Sequence, residues 1–88
     1  MHRLKIEAHL ETILAKLAKR DRVRYEILMK KVEEILSCED PNHYKNLRVP
    51  LQYLKRVHVD SHFVLTFRYV PSEDLIILYD FDHHDKIF

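Results

Sequence analysis

Eighty-eight residues are enough for one domain, so residues 1–88 are read as a single folded unit. Hydrophobic side chains make up 47% of the chain, which excludes intrinsic disorder, and no apolar run approaches the roughly 20 residues of a membrane helix. The formal charge of +1 weakens any argument for nucleic-acid recognition from net charge, and the distribution of the charges matters more.

The chain opens with Met1-His2-Arg3-Leu4-Lys5, charged where a secretory leader would be apolar. Its single cysteine, Cys38, has no internal partner and is read as a passive core or helix-end residue. Both features lead to the expectation of a cytoplasmic protein. Leu4, Ile6 and Ala8 alternate with Arg3, Lys5 and Glu7, the period of a half-buried strand. The period then lengthens. Leu10, Ile13, Leu14, Leu17 and Ala18 form one helical stripe, and after a polar turn at 19–22 a second stripe runs through Tyr25, Leu28, Met29, Val32, Ile35 and Leu36. Pro41 ends it. Two helices joined by so short a turn predict an antiparallel hairpin.

Residues 43–53 are irregular, with Val49-Pro50 in their midst. Three strands follow at 54–59, 63–67 and 75–81. The middle one alternates Phe63, Leu65 and Phe67 with Val64, Thr66 and Arg68; the last is apolar almost throughout, as a central strand would be. With no glycine in the chain, the turns at 60–62 and 71–74 must use Asp, Ser and Pro, and a glycine-rich phosphate loop is excluded. The predicted fold is α+β, in the order β-α-α-β-β-β. An antiparallel sheet carries the helical hairpin on one face, because the apolar stripes and the apolar sheet face cover each other.

Basic residues fall in two groups. Lys16, Lys19, Arg20, Arg22, Arg24, Lys30 and Lys31 suit a solvated helix face. Lys45, Arg48, Lys55 and Arg56 lie in a stretch with no acidic residue between Tyr44 and Val59, and are the better candidates for phosphate contacts.

Seven histidines carry the chemistry that remains: His2, His9, His43, His58, His62, His83 and His84. The first three read as solvated surface residues. His58 and His62 bracket one turn, and His83 and His84 follow the last strand. Neighbouring strands can therefore gather imidazoles on the sheet face opposite the helices. Imidazole exchanges a proton near neutral pH. Cleavage of RNA to a cyclic phosphate needs one group to take the 2′-hydroxyl proton and another to protonate the leaving 5′-oxygen, each contributing roughly 10²–10⁴-fold. A cation must offset charge on the phosphorane, for which Lys55 and Arg56 are suited. An aromatic ring that stacks on an unpaired base would hold the substrate, and Phe88 is so placed, although it equally suits capping the core. His58 and His62 are also acceptable as plain hairpin residues. Asp82-His83-His84-Asp85 has metal-ligand chemistry, but adjacent histidines on an extended segment face opposite ways, so no metal is expected there.

The tail, Asp80-Phe81-Asp82-His83-His84-Asp85-Lys86-Ile87-Phe88, resembles the closing His-Arg-Asp-x-x-Tyr motif of RelE-type toxins of the RelE/ParE superfamily. Asn46-Leu47-Arg48-Val49-Pro50-Leu51, Leu54-Lys55-Arg56-Val57-His58-Val59 and Phe63-Val64-Leu65-Thr66-Phe67 are similar to the loop and strands upstream of it. His84 and Phe88 stand where the motif has arginine and tyrosine, and their spacing is similar to the His-x-x-x-Phe tail of the YafQ branch. The resemblance implies the toxin of a type II toxin–antitoxin system: a ribosome-dependent mRNA endoribonuclease that inhibits translation without metal or cofactor. Its implied partners are mRNA, the ribosome and a small RelB-like antitoxin. By the same resemblance His84 is the acid–base group and Phe88 supports substrate. His58 and His62 supply further imidazoles on that face, Asp60 orients them, and Lys45, Arg48, Lys55, Arg56 and His83 hold phosphate. Two other readings stay open: a ParE-like toxin that docks on gyrase without chemistry, and a degenerate toxin retained as an antitoxin-binding partner.

Overall fold

A computed structural model describes residues 1–87. Its elements are β1 (Arg3–Ile6), α1 (Ala8–Arg20), α2 (Arg22–Ser37), β2 (Lys55–His58), β3 (Phe63–Val70), β4 (Leu75–His83) and the short α3 (His84–Ile87), with single 3₁₀ turns at Pro41–His43 and Pro71–Glu73.

Asp21 alone separates the two long helices. Its backbone leaves the helical region, at φ −144° and ψ 76°, which stops α1, and its carboxylate accepts the Arg24 N–H at 3.1 Å, which caps α2. The hairpin turns the two predicted stripes toward the sheet. Leu10, Leu14, Leu28, Val32, Ile35 and Leu36 bury against Leu65, Phe67, Ile76, Leu78 and Phe81 in one cluster. Each large apolar side chain buried this way contributes about 1.5–3 kcal/mol relative to exposure, so this interface carries most of the stability.

The strands lie in the order β1-β4-β3-β2. The pairs β2–β3 and β3–β4 are antiparallel as expected, but β1 lies parallel to β4, so the sheet is mixed rather than wholly antiparallel. The reason is connectivity. No hairpin turn joins β1 to β4, and the helical hairpin between them leaves the direction of β1 to be chosen by burial of Ile6 beside Leu78.

A bulge sits where β3 meets β4. Thr66 pairs with Asp80 and Phe67 with Leu78, leaving Tyr79 as the extra residue. Leu78 and Phe81 are three apart, and strict alternation would put them on opposite faces; the bulge returns both to the core. In the β3–β4 turn, Asp74 takes a left-handed conformation, φ 51°, a place where aspartate is tolerated and glycine is not at hand.

The face away from the helices is not open. Residues 45–54 form a strap: 45–47 run antiparallel along the edge of β2, through the Asn46–Lys55 bridge and the bonds from Leu47 N–H to the Leu54 carbonyl and from Arg56 N–H to the Lys45 carbonyl, both 2.9 Å, and Leu47, Leu51 and Leu54 line a hollow with Thr66 on this face. Leu47, Leu54 and Val64 are buried outside the main core. Alternation along β2 and β3 places Val64 on the face away from the helices, with Leu54, at the end of the strap, on the same side.

His2, expected at the solvated surface, is instead largely buried. Its Nδ1 lies 2.5 Å from Asp74 Oδ1 and its Nε2 2.5 Å from the Cys38 carbonyl. Its ring also meets Tyr69 edge-on.

Candidate active site

Arg56 and His58 are two residues apart on β2, so both project from the face turned away from the helices. At the end of β4 the chain turns into α3, and this brings His84 over the same face. The His58 and His84 rings stack with centroids 5.6 Å apart and planes 26° apart. Beside them, strap residues 46–51 together with Arg56 and His84 enclose a cavity of about 530 Å³. Arg48 is part of that wall, and Lys45, just before it, is exposed.

His84 is placed by a chain of polar contacts that starts in the helical hairpin. Arg24 donates to Asp21 at 2.6 Å and to Asp60 at 3.1 Å, with its guanidinium 4.3 Å from the centre of the Phe63 ring. The other Asp60 oxygen accepts the His62 N–H at 2.9 Å, and the His62 carbonyl accepts the His84 N–H at 2.7 Å. The His62 N–H first, and Arg24 after it, hold the Asp60 carboxyl below its ordinary range, against the opposing effect of burial. Asp60 thus shapes the turn that carries the histidines; its hydrogen bonds run to backbone and guanidinium rather than to an imidazole.

Alternation separates the remaining candidates. His83 pairs with Phe63 across the sheet and meets its ring edge-on, on the helix side. His62 stacks on His83 at 5.9 Å. The four imidazoles therefore form two pairs, His58–His84 on the cavity face and His62–His83 at the opposite side of the turn, rather than a single group on one face. Lys55 pairs with Phe67 and is 8% exposed. Its ammonium donates to Asn46 Oδ1 at 2.9 Å and the Tyr44 carbonyl at 3.3 Å, so it holds the strap from within. Phe88 lies outside the described residues.

The Asp85 carboxylate lies 3.6 Å from both His83 Nδ1 and His84 Nδ1. Among the described residues, no group of three or more His, Cys, Asp or Glu side chains is placed to hold a metal ion. Arg24, Asn46 and Asp85 were absent from the residues singled out by sequence for this site. Asp85 had a signal in its adjacency to His84. Arg24 and Asn46 had none, because their partners are 36 and 9 residues away.

No family model matches the chain. A protein of Methanocaldococcus jannaschii named "Putative toxin RelE4" is 47% identical over 88 residues, covering all of this chain and 92% of that protein. Among solved structures, a metal-bound toxin from Helicobacter pylori superposes with a TM-score of 0.78 at 20% identity, covering both chains entirely. The isolated E. coli RelE toxin superposes with a TM-score of 0.68 at 17% identity, covering 94% of this chain and 84% of that one.

Proposed function

The chain belongs to the RelE family of toxins, and from that premise we propose that it cleaves messenger RNA on the ribosome, using His84 and His58 for proton transfer. The observation that supports this reading is the His58–His84 stack, which stands beside Arg56 at a cavity of nucleotide-binding size.

The reaction balances with groups that stand together there. One imidazole takes the proton of a ribose 2′-hydroxyl. The 2′-oxygen forms a bond to the adjacent phosphorus as the bond from phosphorus to the 5′-oxygen breaks. The other imidazole delivers a proton to that leaving oxygen. The products are a 2′,3′-cyclic phosphate and a free 5′-hydroxyl, with no water, metal or cofactor consumed. Arg56 offsets the extra charge on the phosphorane, and Arg48 and Lys45 attract the flanking backbone. Asp85 orients the His84 ring. The His62–His83 pair and Asp60 shape the turn that carries His58 and the attachment of α3, and Phe88 would support the substrate.

In the cell this activity would belong to the toxin half of a type II toxin–antitoxin pair, acting in the cytoplasm to stop translation and silenced by a small RelB-like antitoxin. The test is controlled expression with primer extension on a translated message. Wild type should arrest growth and leave discrete cuts, and His84→Ala or His58→Ala should each lose about 10²–10⁴-fold in cleavage. Growth arrest with uncut messages would sink the nuclease reading, and inhibition of gyrase supercoiling in the same cells would point to docking instead.

A further inference from the structure

The cavity beside His84 has two kinds of wall. Arg48, Arg56 and His84 give it a cationic rim, while Val49, Pro50 and Leu51 give it an apolar side. Val49 is 80% exposed and Leu51 is 41% exposed, and both stand apart from the main core cluster. Apolar side chains held at the surface next to cations suit a group with flat apolar faces joined to an anion. An unstacked nucleobase on its phosphodiester is such a group.

The apolar wall is also built in advance. The strap is fixed by the Leu47–Leu54 and Arg56–Lys45 backbone bonds, by Leu51 N–H to Arg48 carbonyl at 2.8 Å, and by the buried Lys55 ammonium on Asn46 and Tyr44. A buried ammonium is costly unless its donors are satisfied, and here those donors are directed into the strap. A wall ordered before binding loses little entropy when a ligand arrives.

We propose that residues 46–51 form a subsite for one unstacked nucleobase of single-stranded RNA, next to the phosphate engaged by Arg56 and His84. The inference rests on the RNA reading above and extends it to a second contact. The wall that meets the base is made of Val49, Pro50 and Leu51 side chains, so the subsite grips any base by its faces and discriminates weakly among the four.

The experiment measures binding of the full chain to a short RNA made uncleavable by 2′-O-methyl groups. Fluorescence anisotropy then compares the intact oligonucleotide with a series carrying one abasic residue at each position in turn. One abasic position should weaken binding about fivefold, the lower end of the loss for a base on an aromatic ring, because this wall is aliphatic. In Val49→Ser/Leu51→Ser, both exposed positions, that position should cease to matter. Equal binding of intact and abasic RNA at every position overturns the subsite, as does absence of binding to the intact RNA. If the double variant fails to fold, the wild-type abasic series decides by itself. The two proposals fail separately. Cleavage of natural messages without any base dependence removes the subsite and leaves the nuclease. Base-dependent binding without cleavage does the reverse.

Discussion

Two histidine sites at opposite ends of the sheet place one residue type in opposite surroundings. At the β1 end, His2 has both ring nitrogens within 2.5 Å of acceptors, and its N–H reaches the Leu36 carbonyl at 2.9 Å. A carboxylate and a carbonyl facing the two nitrogens favour the protonated ring, and the Asp74 hydrogen bond first, then the Cys38 carbonyl, raise its pKa. The ring joins β1, the end of α2 and the β3–β4 turn. At the other end His58 and His84 face each other beside Arg56 and a cavity. The first histidine is saturated by acceptors and serves folding. His84 of the second pair lines the cavity. What separates the two sites is their surroundings, and those come from the tertiary structure.

The largest expected effect sharpens this contrast. His84→Ala should reduce RNA cleavage about 10²–10⁴-fold while leaving the thermal midpoint near wild type. His2→Ala should do the converse, leaving cleavage per folded molecule intact and lowering stability by about 1 kcal/mol, since the part-buried Cys38 carbonyl loses its donor while the exposed Asp74 carboxylate regains water. Paired measurement of cleavage and urea unfolding checks both, and a His2→Ala protein that is fully stable but inactive would break the comparison.

Arg24→Met comes next. It removes two carboxylate contacts from a guanidinium that is about one-third exposed, so solvent screening limits the loss to about 1–2 kcal/mol. Because the His62 carbonyl holds the His84 N–H, the same change should also speed hydrogen exchange at the His84 amide, read by NMR. An unchanged rate there would show that the hairpin does not position His84.

The pH dependence is a smaller effect with a definite sign. The Asp74 hydrogen bond, then the Cys38 carbonyl, raise the His2 pKa above 6.5. A raised value means that its contribution is fully present below about 6.5 and fades as pH climbs through the folded value. Asp60 behaves oppositely. Its pKa is lowered from 3.8, so its contribution is present above that value and is lost as pH falls through the folded one. Urea midpoints across pH should show both slopes, with the neutral-to-alkaline slope absent in His2→Gln. Retention of that slope in the variant would assign it to another group.

Asp74→Gly should have the smallest effect. Removing the side chain relieves the left-handed backbone by about 1 kcal/mol but takes away the carboxylate on His2, so the net change should fall within about 1 kcal/mol. Asp74→Asn, which keeps tolerance of that conformation and loses the charge, should be slightly destabilising. A calorimetric midpoint for the glycine variant well above wild type would show that the His2 contact matters less than the turn.

Much of the fold was legible because its signals are local. The stripe from Leu10 to Ala18 and that from Tyr25 to Leu36 needed only a 3.6-residue period, and β3 needed only alternation. Pro41 was expected to end the second helix, but α2 stops at Ser37 and Pro41 opens a separate 3₁₀ turn; the lack of glycine pointed to aspartate in the turns. The parallel place of β1 had no such signal, because its partner β4 lies about 70 residues away and no turn joins them.

The site was legible as a set of residue types and less so as an arrangement. Lys55 and Arg56 looked equivalent as adjacent cations. Register on β3 turned Lys55 inward, onto the strap, and Arg56 outward. His58 and His62 looked like neighbours on one turn, and His83 and His84 like one motif. Pleating sent one member of each to either side, and the bulge at Tyr79 set which member of the second pair reached the cavity face.

By itself, then, the amino-acid order determined which segments become helix or strand, and which imidazoles and cations are available, because periodicity and side-chain chemistry act over a few bonds. Only the tertiary structure decided that His58 and His84 share a face, that His2 sits between Asp74 and the Cys38 carbonyl and that the strap forms a wall. Each of those depends on contacts between residues far apart in sequence, set by register and burial rather than by spacing.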